Sequence, residues 1–304
     1  MNRFARYAWG VLGWNMLVVL WGAFVRASGS GAGCGSHWPT CNGQIIPRPE
    51  RIETLIEFTH RAMSGVALLL ILGLIVWAFR AYGKGDIVRK GAVACGFFIL
   101  LEALLGASLV LFQWVDQDQS VGRAIATAAH LLNTFLLLGS LTLTAWWASG
   151  GTPLTAAGKG YLPVLLGIGL AGVAVIGMSG AITALGDTLF PAHTLAEGLV
   201  QDADPNANFL LHLRVYHPII AISVGLYTLY LIRYLRARVT RLEARRMSLV
   251  LGALILIQWT AGVTNLLLLA PIWMQLVHLF IADLVWIAYV LTTATTLSNS
   301  MEGA

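Results

Sequence analysis

Residues 54–79 read TLIEFTHRAMSGVALLLILGLIVWAF, and this stretch decides the fold class. From Arg61 to Arg80 no charge interrupts it. At about 1.5 Å per residue the run is long enough to cross a bilayer as one helix. In lipid a chain must satisfy its own backbone hydrogen bonds, and a helix does so without a partner. Yet the run opens with Glu57, His60 and Arg61. Polar groups are costly in hydrocarbon, and a membrane protein keeps them for a reason.

Seven further stretches read the same way: 7–27, 91–113, 123–147, 160–184, 209–233, 247–270 and 273–297. None shows the period-two alternation of a barrel strand. The composition agrees: 304 residues, 58% hydrophobic, 11% charged, mean hydropathy +0.76. That excludes an ordinary soluble domain and predicts an all-α polytopic membrane protein with eight transmembrane helices. No small-residue cleavage site ends the first span, which is expected to be a retained helix. The net charge of +5 reflects basic loops, not a nucleic-acid partner.

Loop charges set the orientation. Arg3 and Arg6 precede the first span. Arg80, Lys84, Arg89 and Lys90 surround the second connection, Lys159 lies in the fourth, and Arg233, Arg236, Arg238, Arg241, Arg245 and Arg246 crowd the sixth. The intervening loops carry Glu50, Glu53, Asp116, Asp118, Asp187, Glu197, Asp202 and Asp204. The positive-inside rule places both termini in the cytoplasm and the longer loops outside. The first outer loop holds Cys34 and Cys41. An oxidising outer compartment permits a disulfide there, and Gly35 and Pro39 favour a turn between them. A zinc site with His37 is the competing reading. Cys95, inside the third span, reads as a small core residue.

The chain also repeats itself. EFTHRAMSG at 57–65 aligns with RVYHPIIAI at 214–222, matching His60 to His217. Glu102-x-x-x-Gly106 aligns with Gln258-x-x-x-Gly262, Gly22-Ala23 with Gly180-Ala181, and HLLNTFLLL from His130 with HLFIADLVW from His278. The expectation is two four-helix halves, 1–150 and 151–304. An even number of spans leaves both copies pointing the same way, so they would be related by a pseudo-two-fold axis along the membrane normal. All four histidines then lie early in helices that run inward, roughly 9–12 Å below the helix starts.

Two imidazoles per four-helix bundle can hold one metal centre between them. Zinc and copper suit imidazole. Haem fits better, because each half offers two histidines and no thiolate or carboxylate cluster. His37 and His193 lie in outer loops. His212 lies five residues before His217 and is the substitute ligand, but only His217 aligns with His60. Glu57, three residues before His60, shares its helix face and is a candidate for proton or charge handling. The matching residue in the second half is Arg214, so the sites are electrostatically unlike. Arg26, Arg61 and Arg214 are outer cations suited to carboxylates such as haem propionates, or to interfacial anchoring. Glu102 and Asp283 are acids within spans, read as packing groups or as parts of a proton path.

With GAFVRASGSGAGC at 22–34, HWPTCNGQIIP at 37–47, EFTHR at 57–61 and HLLNT at 130–134, the whole chain resembles the haem A synthase family. The resemblance implies oxidation of the C8 methyl of haem O to a formyl group by successive hydroxylations. It implies that His217 and His278 hold a resident b-type haem and that His60 and His130 bind the substrate haem. It further implies that Glu57 acts beside the substrate, and that Cys34 and Cys41 form a disulfide. The chain departs from the family at Ser36-His37, where many members have an acid before Trp-Pro. It also lacks a cysteine pair in 185–208, and Pro218 follows His217 where an arginine is expected. The expected setting is the cell membrane, with the haem sites toward the outer face. Haem O, the lipid bilayer, an unidentified electron acceptor, a haem O synthase and a second copy of the chain are the partners considered. Two rivals stand beside this reading: a haem-b subunit exchanging electrons with quinone, and a transporter built on a duplicated bundle with Gly- or Pro-broken helices.

Overall fold

The computed structural model describes residues 1–48 and 51–298; Glu50 and the tail 299–304 of the expected second half lie outside them. Ten α-helices follow one another: α1 (Arg3–Ala27), α2 (Ile52–Ala81), α3 (Ile87–Leu111), α4 (Val121–Ala148), α5 (Leu162–Leu189), α6 (Leu195–Ala203), α7 (Phe209–Arg214), α8 (Tyr216–Arg238), α9 (Leu242–Leu267) and α10 (Ile272–Leu297). Among the described residues, eight helical segments are long and apolar enough to cross a membrane, α7 and α8 together making the sixth. No strand occurs among these residues beyond two isolated bridges.

Polar side chains start several helices by taking up free N–H groups. Asn2 accepts from Ala5 N–H at 2.7 Å, Asp86 from Val88 at 2.8 Å and Ser120 from Arg123 at 3.2 Å. A proline in the first turn of α5 fits because its missing N–H has no partner there anyway.

Two local features depart from the expectation. The sixth span is not one helix: α7 stops at Arg214 and α8 begins at Tyr216. Pro218 lacks the N–H that would bond the Arg214 carbonyl, and its ring crowds that carbonyl. The fifth connection also contains α6, an unforeseen helix. Thr194 accepts from Glu197 N–H at 3.1 Å while Glu197 accepts from His193 N–H at 2.8 Å. This reciprocal arrangement resembles a capping box.

α1 packs on α2 and α4, and α3 on α2 and α4, closing a ring of four helices. α5 packs on α8 and α10, and α9 on α8 and α10, closing a second ring in the same cyclic order. The rings meet along α1 and α4 on one side and α5 and α10 on the other. At that seam Trp286 stacks on Phe135 with centroids 5.0 Å apart and donates its indole N–H to the Phe135 carbonyl. Gly139 makes the room: a Cβ there would lie 3.3 Å from the Trp286 indole nitrogen. Leucines and valines left exposed on α2, α3, α8 and α9 form the outer surface, as a lipid-facing surface requires.

Candidate functional site

Each of the four histidines faces a glycine on a neighbouring helix. A Cβ built on Gly22 would lie 2.9 Å from His60 Cε1, on Gly180 3.0 Å from His217 Cε1, and on Gly262 3.2 Å from His278 Cε1. On Gly106 it would lie 4.0 Å from His130 Nε2. The first three leave no comfortable room for a larger residue. Gly22, Gly180 and Gly262 thus seat three of the four rings, a role that spacing alone did not reveal.

In the first half, His60 Nδ1 is buried without a hydrogen-bond partner. His130 Nδ1 lies 3.3 Å from Glu102 Oε1, close but off the line of a good hydrogen bond. That carboxylate is held in place by Thr134 Oγ1, which donates to it at 2.5 Å, and by the Asn133 amide, which also donates to the Phe98 carbonyl at 2.9 Å.

Beside this site the loop between α1 and α2 is fastened to α2. Cys34 and Cys41 form a disulfide, with Cα atoms 4.4 Å apart, and both are buried. The thiols are therefore not available to zinc, and the competing zinc reading falls. Cys34 N–H donates to Glu57 Oε2 at 2.7 Å, and Thr54 Oγ1 donates to the Gly33 carbonyl at 2.7 Å. Arg61 pairs with the other oxygen of Glu57 and donates to the carbonyls of His37 and Thr40 at 2.6 Å each. Glu57 is only 4% exposed, so its charge is held in place by these contacts and not by water.

In the second half the His217 and His278 rings face each other edge to face, with centroids 6.5 Å apart and planes at 87°. An ion about 2 Å from one nitrogen of each ring, the usual metal–imidazole distance, puts two ring centres roughly 6 Å apart. The separation of the two rings is close to what one metal ion shared by two imidazoles would give. Ser179 Oγ lies 3.0 Å from His217 Nδ1 and orients the ring, leaving Nε2 for a ligand. Gln258 Nε2 lies 3.3 Å from His278 Nε2, and His278 Nδ1 has no partner. Among the described residues, no group of three or more His, Cys, Asp or Glu side chains has the arrangement of a metal site. Two imidazoles suit an ion that arrives with its remaining ligands, as haem iron does.

The electrostatic difference between the halves takes a specific form. Arg214, aligned with Glu57, also anchors an outer loop: it donates to Asp202 at 2.8 Å, to Asp187 at 3.1 Å and to Gln201 at 3.4 Å. The repeated position keeps the task of tethering a loop while its charge is inverted. Arg26 reaches across the seam, donating to the Ala184 carbonyl and Thr188 Oγ1 at 2.6 Å each and to Gln275 Oε1 at 2.8 Å. All three arginines singled out for propionates thus have protein partners. The ring of His212 donates to the Asp204 carbonyl at 2.9 Å, within its own loop. Asp283 is fully buried in α10, and neither carboxylate oxygen has a partner. Ser179 acts at its site without having been marked in the sequence, although it stands next to Gly180; Asn133 and Thr134 stood inside HLLNT and Asp187 among the loop acids, but their contacts were not foreseen.

The family described as Cytochrome oxidase assembly protein matches residues 5–290. The chain belongs to this family. Two proteins of Thermus thermophilus strains, both called Protoheme IX farnesyltransferase, are 51% identical over 305 residues, which is 99% of this chain but 50% of theirs. The chain thus spans about half the length of these curated relatives. A Heme A synthase of Exiguobacterium sp. is 37% identical over 125 residues, 40% of this chain and 42% of that protein. Another, of Geobacillus kaustophilus, is 39% identical over 127 residues, 40% and 39% respectively. Family membership and the eight apolar helices together make this a multi-pass membrane protein.

Proposed function

We propose that this cytochrome oxidase assembly protein is a haem A synthase, an oxidoreductase that converts the C8 methyl of haem O to a formyl group by successive hydroxylations. The observation that carries the reading is the glycine-seated histidine set, two per helix ring, with His217 and His278 at the separation one iron requires. In this reading residues 1–150 form the substrate half and 151–304 the cofactor half, related by a pseudo-two-fold axis along the membrane normal. The matching cyclic order of the two rings supports it.

His217 and His278 hold a b-type haem, whose iron supplies one-electron chemistry when bound. Ser179 orients His217. His60 and His130 bind the substrate haem. Glu57 is the acid of that site: it sets a negative charge one turn from His60 and, with Arg61, keeps the disulfide loop fastened to α2. Arg26, Arg61 and Arg214 stand at the outer ends of the helices and would exchange present partners for propionates.

The Thermus relatives bear a farnesyltransferase name, yet half of their length lies beyond the match. We assign the transferase activity to that other half. A protein joining the two would pass its farnesylated haem to a module like this one, and a haem O synthase is accordingly the proposed partner of this chain.

Co-expression with a source of haem O, followed by pigment extraction, tests the proposal: haem A is expected. Recovery of haem B and unchanged haem O alone would favour an electron-carrying subunit. His60→Ala and Glu57→Ala should abolish haem A while leaving bound haem B, and His278→Ala should lose the resident haem. Loss of all haem B in His60→Ala would reverse the assignment of the halves. For orientation, alkaline phosphatase fused after Asn42 should be active and after Lys84 inactive; the opposite pattern would place the sites on the cytoplasmic side.

A further inference from the structure

Glu102 and Gln258 stand at matching positions of α3 and α9, four residues before the glycines that face His130 and His278. One is a carboxylate and the other a neutral amide. Glu102 is fixed from two sides by Thr134 and Asn133, and its Oε1 lies 3.3 Å from His130 Nδ1. Among the described residues His130 is the one ionic partner that this carboxylate has. The arrangement presents a half-buried anion to the ring nitrogen opposite the one that would bind a metal.

We infer that Glu102 is a positioning residue that makes His130 the stronger electron donor of the two α4 and α10 ligands. Its carboxylate accepts a charge-assisted hydrogen bond from the Nδ1–H of His130 once Nε2 is pinned by iron. Partners of this kind fix the tautomer and raise ligand basicity, and charge-assisted bonds are about twice as strong as neutral ones. A more basic imidazole stabilises ferric over ferrous iron. Gln258 provides no such charge to His278. The duplication has thus been tuned differently in its two copies at one residue, separately from the Glu57–Arg214 inversion. The inference rests on the haem reading above.

The test uses the full chain purified in detergent and loaded with iron protoporphyrin IX. His278→Ala leaves the first-half site to be read alone, and His130→Ala the second. Midpoint potentials are measured optically. Glu102→Gln should raise the first-half potential, lowering the ferric-to-ferrous ratio at fixed potential about tenfold, equivalent to about 59 mV for one electron. Glu102→Asp should stay close to the native residue. Normal haem binding by Glu102→Gln with an unmoved potential is what a packing residue would give, and would overturn the inference. Should that variant fail to accumulate, Glu102→Ala decides: an unmoved first-half potential overturns it. A native chain that binds no haem at either site would overturn the haem reading itself, and this inference with it.

Discussion

At the scale of single residues, the sites are organised by what is small as much as by what is polar. Gly22 and Gly180 lie where any side chain would press on the His60 or His217 ring. Ser179, the neighbour of Gly180, supplies the partner of His217 Nδ1. Losing an outer partner of a metal-bound histidine typically weakens binding 10–100-fold. Ser179→Ala should therefore weaken haem binding in the second half by about tenfold, or about 1.4 kcal/mol, measured by haem titration of the purified protein. First-half binding should be unaffected. The histidines and the glycines were legible in the sequence because similar stretches mark them twice, and Glu57 because it lies one turn before His60. The contacts of Asn133, Thr134 and Asp187 were not: each is made with another helix, and nothing in the local sequence announces it.

At the scale of elements, the outer ends of the helices differ from a simple bundle. The sixth span breaks ahead of Pro218 because that residue has no N–H to give, so His217 begins a new helix, not a continuing one. Sequence reading placed the span correctly but treated it as continuous, underweighting a proline visible in the chain. The first outer loop is held to α2 by Glu57, Thr54 and Arg61, and closed by the Cys34–Cys41 bridge. A bridge over a sequence separation of 7 stabilises by about 2 kcal/mol through restriction of the unfolded loop. The double variant Cys34→Ser, Cys41→Ser should lower Tm by several degrees in thermal-shift measurement. It should also reduce haem A formation more than haem B content, since the loop is fastened to α2, the helix that carries His60. Equal loss of both would show that the bridge serves the whole fold.

At the scale of the molecule, the two rings are joined by a seam with an apolar part and a polar part. Trp286 on Phe135 forms the former; Arg26, reaching α5 and α10, forms the latter. Hydrogen bonds from a charged donor are worth about 2 kcal/mol each, although the α5 and α10 acceptors recover part of this with other donors. Arg26→Ala should destabilise the protein by about 2 kcal/mol and raise hydrogen exchange at the outer ends of α5 and α10. Exchange confined to α1 would show that Arg26 does not bind the halves together. The rings share one body because α1 and α4 of the first pack on α5 and α10 of the second.

The sequence by itself determined the all-helical membrane fold, the eight spans, the repeated marks and the four histidines, because hydropathy and duplication are properties of the chain read in order. Tertiary structure alone decided which glycine seats which histidine, that Cys34 bonds Cys41 in place of a metal, and that Arg26 crosses the seam. It also showed that Glu57 and Arg214 perform one tethering task with opposite charges. These depend on approach between helices far apart in sequence, and the periodicity of one helix carries no record of the neighbour it will meet.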